Sequence, residues 1–433
     1  MEFQRDIYKE LTKWVKGTKG LLLKGTRQVG KTFILDKLAN DLFNNVLYVN
    51  LGNLDTYEWF EDRTRKLVTG EDWVRVFFEF SEKESQKFSN SPDTLVILDE
   101  VQSSSRVFNG IRQIVRDCHC RVVATGSYLG IMDIENHYAD NRQAFFYPAG
   151  DVEVLEMYPM TYLEVITACA QHGIVNMQRI CNYYLRFGGF PEVVRNWIQT
   201  QEYSECISVL DNIFGILVRE SQRYFHGAFP EKVWVDTLIS VAKQIESKKS
   251  IPEGSELVYN FRSTDGIDVK RQETVDSMRW LLSCNLLLLG NVTNNLKQPE
   301  KKVKYSYYFV DQGLLFIILD RELRNRSPQI DKGNVPGLLA ENFVALSIME
   351  FDESPTTYSR SNPNEEIDFI AEHNGLLYAL EVKYTRGVIK IQGFGEGSTE
   401  NTTTLRLYDC HKLGTLLGEE YGKTKYDKTR LAF

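Results

Sequence analysis

A lysine, a threonine and two glycines at fixed spacing could hold a polyphosphate. Gly25-Thr26-Arg27-Gln28-Val29-Gly30-Lys31-Thr32 fits G-x-x-x-x-G-K-S/T, the phosphate-binding loop of nucleotide hydrolases. The glycines let the backbone wrap closely around an anion. Successive N–H groups along Thr26, Arg27, Gln28 and Val29 then form a nest for phosphate oxygens. Lys31 would reach the β- and γ-phosphates of ATP, and the Thr32 hydroxyl would ligate Mg²⁺. A helix starting at this point would place its positive end beneath the phosphates.

Two acids supply what such a loop lacks. Thr94-Leu95-Val96-Ile97-Leu98-Asp99-Glu100 is an apolar run ending in carboxylates. It reads as a strand buried on both faces of a parallel sheet. Ligands of such sheets bind beyond the carboxyl ends of the strands. Asp99 would therefore hold Mg²⁺ through water, and Glu100 would polarise the attacking water. Arg121-Val122-Val123-Ala124-Thr125-Gly126-Ser127 is a further strand with a polar end. Thr125 or Ser127 could sense the γ-phosphate; a helix N-cap is nearly as good a reading of Ser127.

These groups need elements to position them. Leu21-Leu22-Leu23 gives a short buried strand before the loop, and Phe33-Ile34-Leu35 with Leu38-Ala39 continues at helical spacing after it. Strands are expected near 20–24, 45–51, 94–99, 121–126 and 152–157, alternating with helices. This is an α/β parallel sheet of the P-loop NTPase type, in a domain spanning 1–195. Thr161 and Glu164 form a capping box after Pro159. Phe187-Gly188-Gly189-Phe190-Pro191-Glu192 is a sharp break: either a link between domains or a place of close backbone approach.

Residues 196–333 read as a helical and winged-helix-like domain. Val269 to Cys284 is amphipathic, with Val275, Met278, Leu281 and Leu282 on one face. Leu286 to Val292 and Val303 to Val310 follow as a hairpin. Its connection carries Lys297, Lys301, Lys302 and Lys304: a wing that touches DNA phosphates, or a solvated hairpin. Asn334-Val335-Pro336-Gly337 leads into a last domain, 334–433.

That domain holds a second set of residues able to do chemistry. Glu366 to Glu372 and Leu376 to Lys383 both alternate polar and apolar, around Asn374-Gly375, a preferred two-residue hairpin turn. This turn puts Asp368 opposite Glu381, with Glu381 and Lys383 on one face. Opposed carboxylates repel unless a divalent cation lies between them. Lys383 could then activate a water for phosphodiester attack.

Bulk properties narrow the class. Of 433 residues, 42% are hydrophobic and 25% charged, as in globular proteins. No apolar run approaches a membrane span, and the first residues do not read as a signal peptide. Seven cysteines suggest free thiols in a reducing cytoplasm. Cys118-His119-Cys120 lacks a second ligand pair and reads as a lead into a strand. A net charge of −8 argues against coating nucleic acid over a broad surface.

Taken in order, GTRQVGKT (25–32), LDEVQ (98–102), TGS (125–127), GGFPE (188–192), YYFVDQGL (307–314), AENF (340–343), EIDFI (366–370) and ALEVK (379–383) resemble a family of prokaryotic AAA+-like ATPases. Its members join a P-loop domain to a C-terminal nuclease-like domain of unknown function. The resemblance implies an ATP-binding core, a helical or winged-helix middle and a restriction-endonuclease-like end of the PD-(D/E)xK kind. In that arrangement Glu341, on the preceding helix, joins Asp368, Glu381 and Lys383. Partners implied are ATP and DNA, with oligomerisation open and no membrane. One departure stands out. Relatives often carry an arginine after the glycine that follows the fourth core strand; here the pair is Gly150-Asp151. Arg142 and Arg186 are substitutes the sequence does not rank. A module that hydrolyses slowly, gated by nucleotide and cutting nothing, is the alternative.

Overall fold

The computed structural model describes residues 1–65, 71–127, 150–224, 231–247, 251–252, 277–278, 280–282, 284–295, 302–325, 330–350, 355–359, 366–373, 376–394 and 402–417. Its contacts divide the chain after Tyr158. The first unit is 4–158; the second is 159–433 together with Met1–Phe3.

In the first unit, α1 (Ile7–Val15) precedes β1 (Gly20–Gly25), α2 (Lys31–Leu42), β2 (Asn45–Asn50), α3 (Leu54–Thr64), α4 (Glu71–Lys83), β3 (Thr94–Asp99), α5 (Ser105–Asp117), β4 (Arg121–Ser127) and β5 (Val152–Met157). All five expected strands form. They pair in parallel, in the order β2-β3-β4-β1-β5. Every residue of β3 is buried, as its unbroken apolar run requires between two neighbours and two helical layers. α5 shows how locally the sequence dictates its helices. The Ser104 side chain caps it by accepting from the Val107 N–H, and Val107, Phe108, Ile111 and Ile114 bury one face. That face joins Leu22, Val96, Leu98, Trp73, Phe77 and Phe80 in one core. Dispersion and burial there fix the sheet whose carboxyl edge carries the polar residues.

The second unit contains α6 (Tyr162–Gln171), α7 (Met177–Phe187), α8 (Pro191–Thr200), α9 (Tyr203–Tyr224), α10 (Glu231–Ser247), β6 (Ile251–Pro252), β7 (Leu287–Thr293), β8 (Lys302–Phe309), α11 (Gln312–Leu323), α12 (Val335–Met349), β9 (Thr356–Ser359), β10 (Glu366–His373), β11 (Leu376–Lys383), β12 (Val388–Phe394) and β13 (Thr402–Arg406). The capping box opens α6 with both of its hydrogen bonds.

The boundaries expected after 195 and 333 do not coincide with the division after Tyr158. One sheet runs β13-β12-β11-β10-β9-β7-β8-β6 across residue 333. The hairpin of β7 and β8 forms, but it is not a free wing, because the other edge of β7 pairs in parallel with β9. Alternation identified the strands and left their partners open. Of the amphipathic run before the hairpin, 277–278, 280–282 and 284 are described, with Met278 and Leu281 buried; Val275, Lys297 and Lys301 lie outside the described residues.

All seven cysteines are buried free thiols. Among the described residues no helix is long and apolar enough to cross a membrane.

Candidate nucleotide site

The loop after β1 is shaped by two left-handed residues, Gln28 (φ 65°) and Gly30 (φ 95°). Gly30 is the N-cap of α2, which has no side-chain cap. Gly25 is required by its neighbour strand: a Cβ there would lie 2.5 Å from the Met157 carbonyl oxygen. Val29 is fully buried. Its carbonyl accepts from Arg5 Nη1 at 2.9 Å, while Arg5 Nη2 donates to the Tyr158 carbonyl at 2.6 Å. A buried arginine from the first residues thus braces the loop. No sequence signal marked it.

Lys31 Nζ donates to the carbonyls of Gly25 (2.9 Å) and Thr26 (3.0 Å), so the ammonium lies folded over the loop. Thr26 Oγ1 is buried without a hydrogen-bond partner among the described residues, an orphan that an added acceptor would satisfy.

At the end of β3, Asp99 is buried and Thr32 is exposed. Thr32 Oγ1 donates to Asp99 Oδ2 at 3.1 Å, and the Glu100 N–H donates to Asp99 Oδ1 at 2.9 Å. Tyr48 Oη donates to the same Oδ2 at 2.6 Å. Burial, and then the charge of Asp99, pushes the Asp36 carboxyl up. Burial and the hydrogen bond to Asp99 push the Tyr48 phenol up, keeping it a donor. A hydroxyl beside a carboxylate is the hard-oxygen donor set Mg²⁺ takes, with phosphates completing the shell. The residues present fit that ion.

Glu100 itself sits in the left-handed region, φ 50°. Arg27 Nη1 lies 3.4 Å from its Oε1, and Gln102 Nε2 donates to its Oε2. Arg27 therefore contributes a side chain as well as an N–H, which the motif alone did not show. Ser127 pairs in register with Gly25 and so stands level with the loop. Thr125 does not: its hydroxyl donates to the Leu23 carbonyl at 2.9 Å inside the sheet. Residues 128–149, Arg142 among them, lie outside the described residues.

The position where relatives carry an arginine is at the opposite edge. The Asp151 carbonyl accepts from the Gly20 N–H at the amino end of β1. Six strand residues, about 20 Å, separate it from the phosphate end. An arginine at 151 could not reach the phosphate loop of its own chain. Asp151 instead receives Arg112 Nε at 2.7 Å and Arg116 Nε at 3.0 Å, which tie α5 to the sheet. The Arg116 hydrogen bond leads the effects that lower its carboxyl pKa. Arg186, on α7, lies over the Tyr203 ring within the second unit.

The C-terminal residues are brought together only in part. β10 and β11 pair in the expected register, from His373 with Leu376 to Phe369 with Leu380. The turn residues Asn374 and Gly375 lie outside the described residues. Asp368 is buried, and its Oδ2 accepts from the Val382 N–H at 2.7 Å. Glu381 is exposed and pairs with Lys383 at 2.5 Å. Burial pushes the Tyr308 phenol up to about 12, against hydrogen bonds with Thr357 and Ser306 and with a further push from the charges of Glu341 and Asp368. Among the described residues no three His, Cys, Asp or Glu are grouped to hold a metal.

Residues 17–166 match the AAA domain family. No curated protein matches the sequence. Among solved structures, a Walker-type ATPase of Pyrococcus abyssi is 13% identical, with a TM-score of 0.47 over 73% of this chain and 96% of that one. A Signal Transduction ATPase with Numerous Domains carrying a tetratricopeptide repeat sensor, from Pyrococcus horikoshii, is 12% identical, with a TM-score of 0.31. That likeness covers 81% of this chain and 49% of the other. The match over 17–166, the parallel sheet and the loop together fit a P-loop NTPase α/β fold.

Proposed function

We propose that the chain is a Mg²⁺-dependent ATPase whose second unit is a binding module controlled by nucleotide. The observation that carries this is the convergence of Thr32 and Glu100 on Asp99 at the strand ends beside Lys31. Lys31 exchanges two loop carbonyls for phosphate oxygens. Thr32 and Asp99 hold the metal, which when bound draws charge from the phosphates. Glu100 orients water, and Ser127 stands level with the loop to read the γ-phosphate.

Glu100 is held by Arg27 and Gln102, one on each carboxylate oxygen, and each oxygen keeps a lone pair that can accept from water. Phosphate release should be Mg²⁺-dependent and abolished by EDTA. Failure to bind ATP at millimolar concentration overturns the proposal. Glu100→Gln is expected to bind ATP as the wild type does and to release phosphate about 10²–10³-fold more slowly, as loss of a general base does. A variant that turns over at the wild-type rate removes Glu100 from the mechanism.

DNA enters this proposal through Glu341, Asp368, Glu381 and Lys383. Asp368 is engaged by a backbone N–H and Glu381 by Lys383, which favours a fold that does not cut. Incubating wild type and Asp368→Ala with single- and double-stranded DNA and Mn²⁺ decides it. Cutting by wild type alone makes the module a nuclease.

A further inference from the structure

β2 is an edge strand, so one side of its backbone has no strand partner among the described residues. At one residue a side chain substitutes for a strand. The Tyr48 N–H donates to Gln86 Oε1 at 2.7 Å, and the Tyr48 carbonyl accepts from Gln86 Nε2 at 3.0 Å. Gln86 is fixed in turn by its own N–H, which donates to the Ser81 carbonyl at 2.8 Å. Leu47 and Val49, on either side, are buried in the core, so Tyr48 points to the opposite face of the sheet. There its hydroxyl meets Asp99 Oδ2 at 2.6 Å.

That oxygen lies in a crowded acidic place. Asp36 and Glu100, besides Asp99, bear electrostatically on the phenol. A carboxylate beside others turns away from them unless donors hold it. Thr32 can donate to Asp99 while its lone pairs remain for another ligand. The second donor is Tyr48, from a different strand.

We propose that Tyr48, locked by the Gln86 amide, is a positioning residue that aims the Asp99 carboxylate at the nucleotide's divalent cation. This rests on the ATPase reading of the same site. The Tyr48 hydroxyl acts on Asp99 Oδ2, so its effect is on the metal rather than on nucleotide recognition.

Tyr48→Phe keeps the ring and removes only the donor. With ADP bound, Mn²⁺ titrated into the protein and followed by the electron paramagnetic resonance of the free ion should show affinity weakened about 10-fold or more, as for other residues that orient a metal ligand. Affinity for ADP in EDTA should stay at the wild-type value, as should thermal melting of the metal-free protein. Gln86→Ala, which leaves the phenol and frees its backbone, should weaken Mn²⁺ in the same direction by less. Unchanged Mn²⁺ affinity in Tyr48→Phe, with wild type binding ADP and Mn²⁺, overturns this inference alone. Equal losses of ADP and Mn²⁺ binding also overturn it, because they mark a merely structural residue. A wild-type protein that binds no nucleotide overturns the ATPase proposal and this inference with it.

Discussion

Lys31→Ala is expected to weaken ATP binding about 10²-fold and to lower phosphate release about 10³-fold or more. The lysine ammonium is folded over the loop, on the carbonyls of Gly25 and Thr26. Those carbonyls are neutral acceptors; phosphate oxygens carry full charge, so the ammonium gains an ion pair on the exchange. Exchange of one for the other is favourable, and a hydrogen bond to a charged group contributes about 1.5–3 kcal/mol. Two such contacts account for the loss of affinity. Turnover falls further because charge shifts onto the β–γ bridging oxygen only as the bond breaks, and removing one preorganised donor at such a point costs about 10²–10³ by itself. Lys31→Arg should not rescue, since a planar fork replaces a compact ammonium. The measurements are calorimetric titration with ATP and a phosphate-release assay, with a thermal melt as control. Binding and turnover at wild-type levels would mean that this loop is not a phosphate site.

The nucleotide end of this protein was legible because its chemistry is local. Eight contiguous residues make the loop, and β3 announces itself by an unbroken apolar run ending in Asp99 and Glu100. The five strands of the first sheet could be placed to within a residue or two for the same reason. Arg5 and Tyr48 were not legible. Each acts across tens of residues, Arg5 on Val29 and Tyr158 and Tyr48 on Asp99, and nothing in its neighbours betrays the partner. Arg27 was visible as part of a motif, yet its pairing with Glu100 was not. The hairpin register of β10 and β11 was legible from Asn374-Gly375. Its consequence was not. A tight turn fixes which residues oppose each other, but it cannot say that Asp368 turns its carboxylate to the Val382 N–H. Nor could alternation show that β7, read as part of a wing, shares a sheet with β9. Strand patterns carry a face and no address.

Asp311→Ala is expected to destabilise the second unit by about 3–5 kcal/mol, and the reason explains three motifs at once. Gly188 adopts φ 65° with ψ −151°, a region open in practice only to glycine, and a Cβ on it would strike the Asp311 carboxylate. Gly189 passes so close to Met160 that a Cβ would overlap the Met160 carbonyl. Its N–H donates to Asp311 Oδ2 at 2.7 Å, and the Leu314 N–H donates to Oδ1 at 3.2 Å, capping α11. Next along the chain, Gln312 Nε2 donates to the Leu339 carbonyl at 2.9 Å, and Asn342 Oδ1 accepts from the Phe309 N–H at 2.8 Å. The glycine break, the end of β8 and the start of α12 are therefore one buried hydrogen-bonded knot, which decides the open question of the glycines in favour of close approach. Alanine at 311 strands two buried N–H groups at about 1–3 kcal/mol each and removes the helix cap. The variant also tests a pH dependence. Burial raises the Asp311 carboxyl to about 6, against the pull of the Gly189, Leu314 and Gly313 N–H groups. The folded state thus holds this proton more tightly than the unfolded chain. The stabilisation is complete below about pH 4 and lost as pH rises through about 6. Urea melts followed by tryptophan fluorescence should show the gap between wild type and Asp311→Ala wider at pH 4.5 than at pH 7. A gap that widens toward pH 7 would show instead that the knot is built around a carboxylate whose pKa folding lowers.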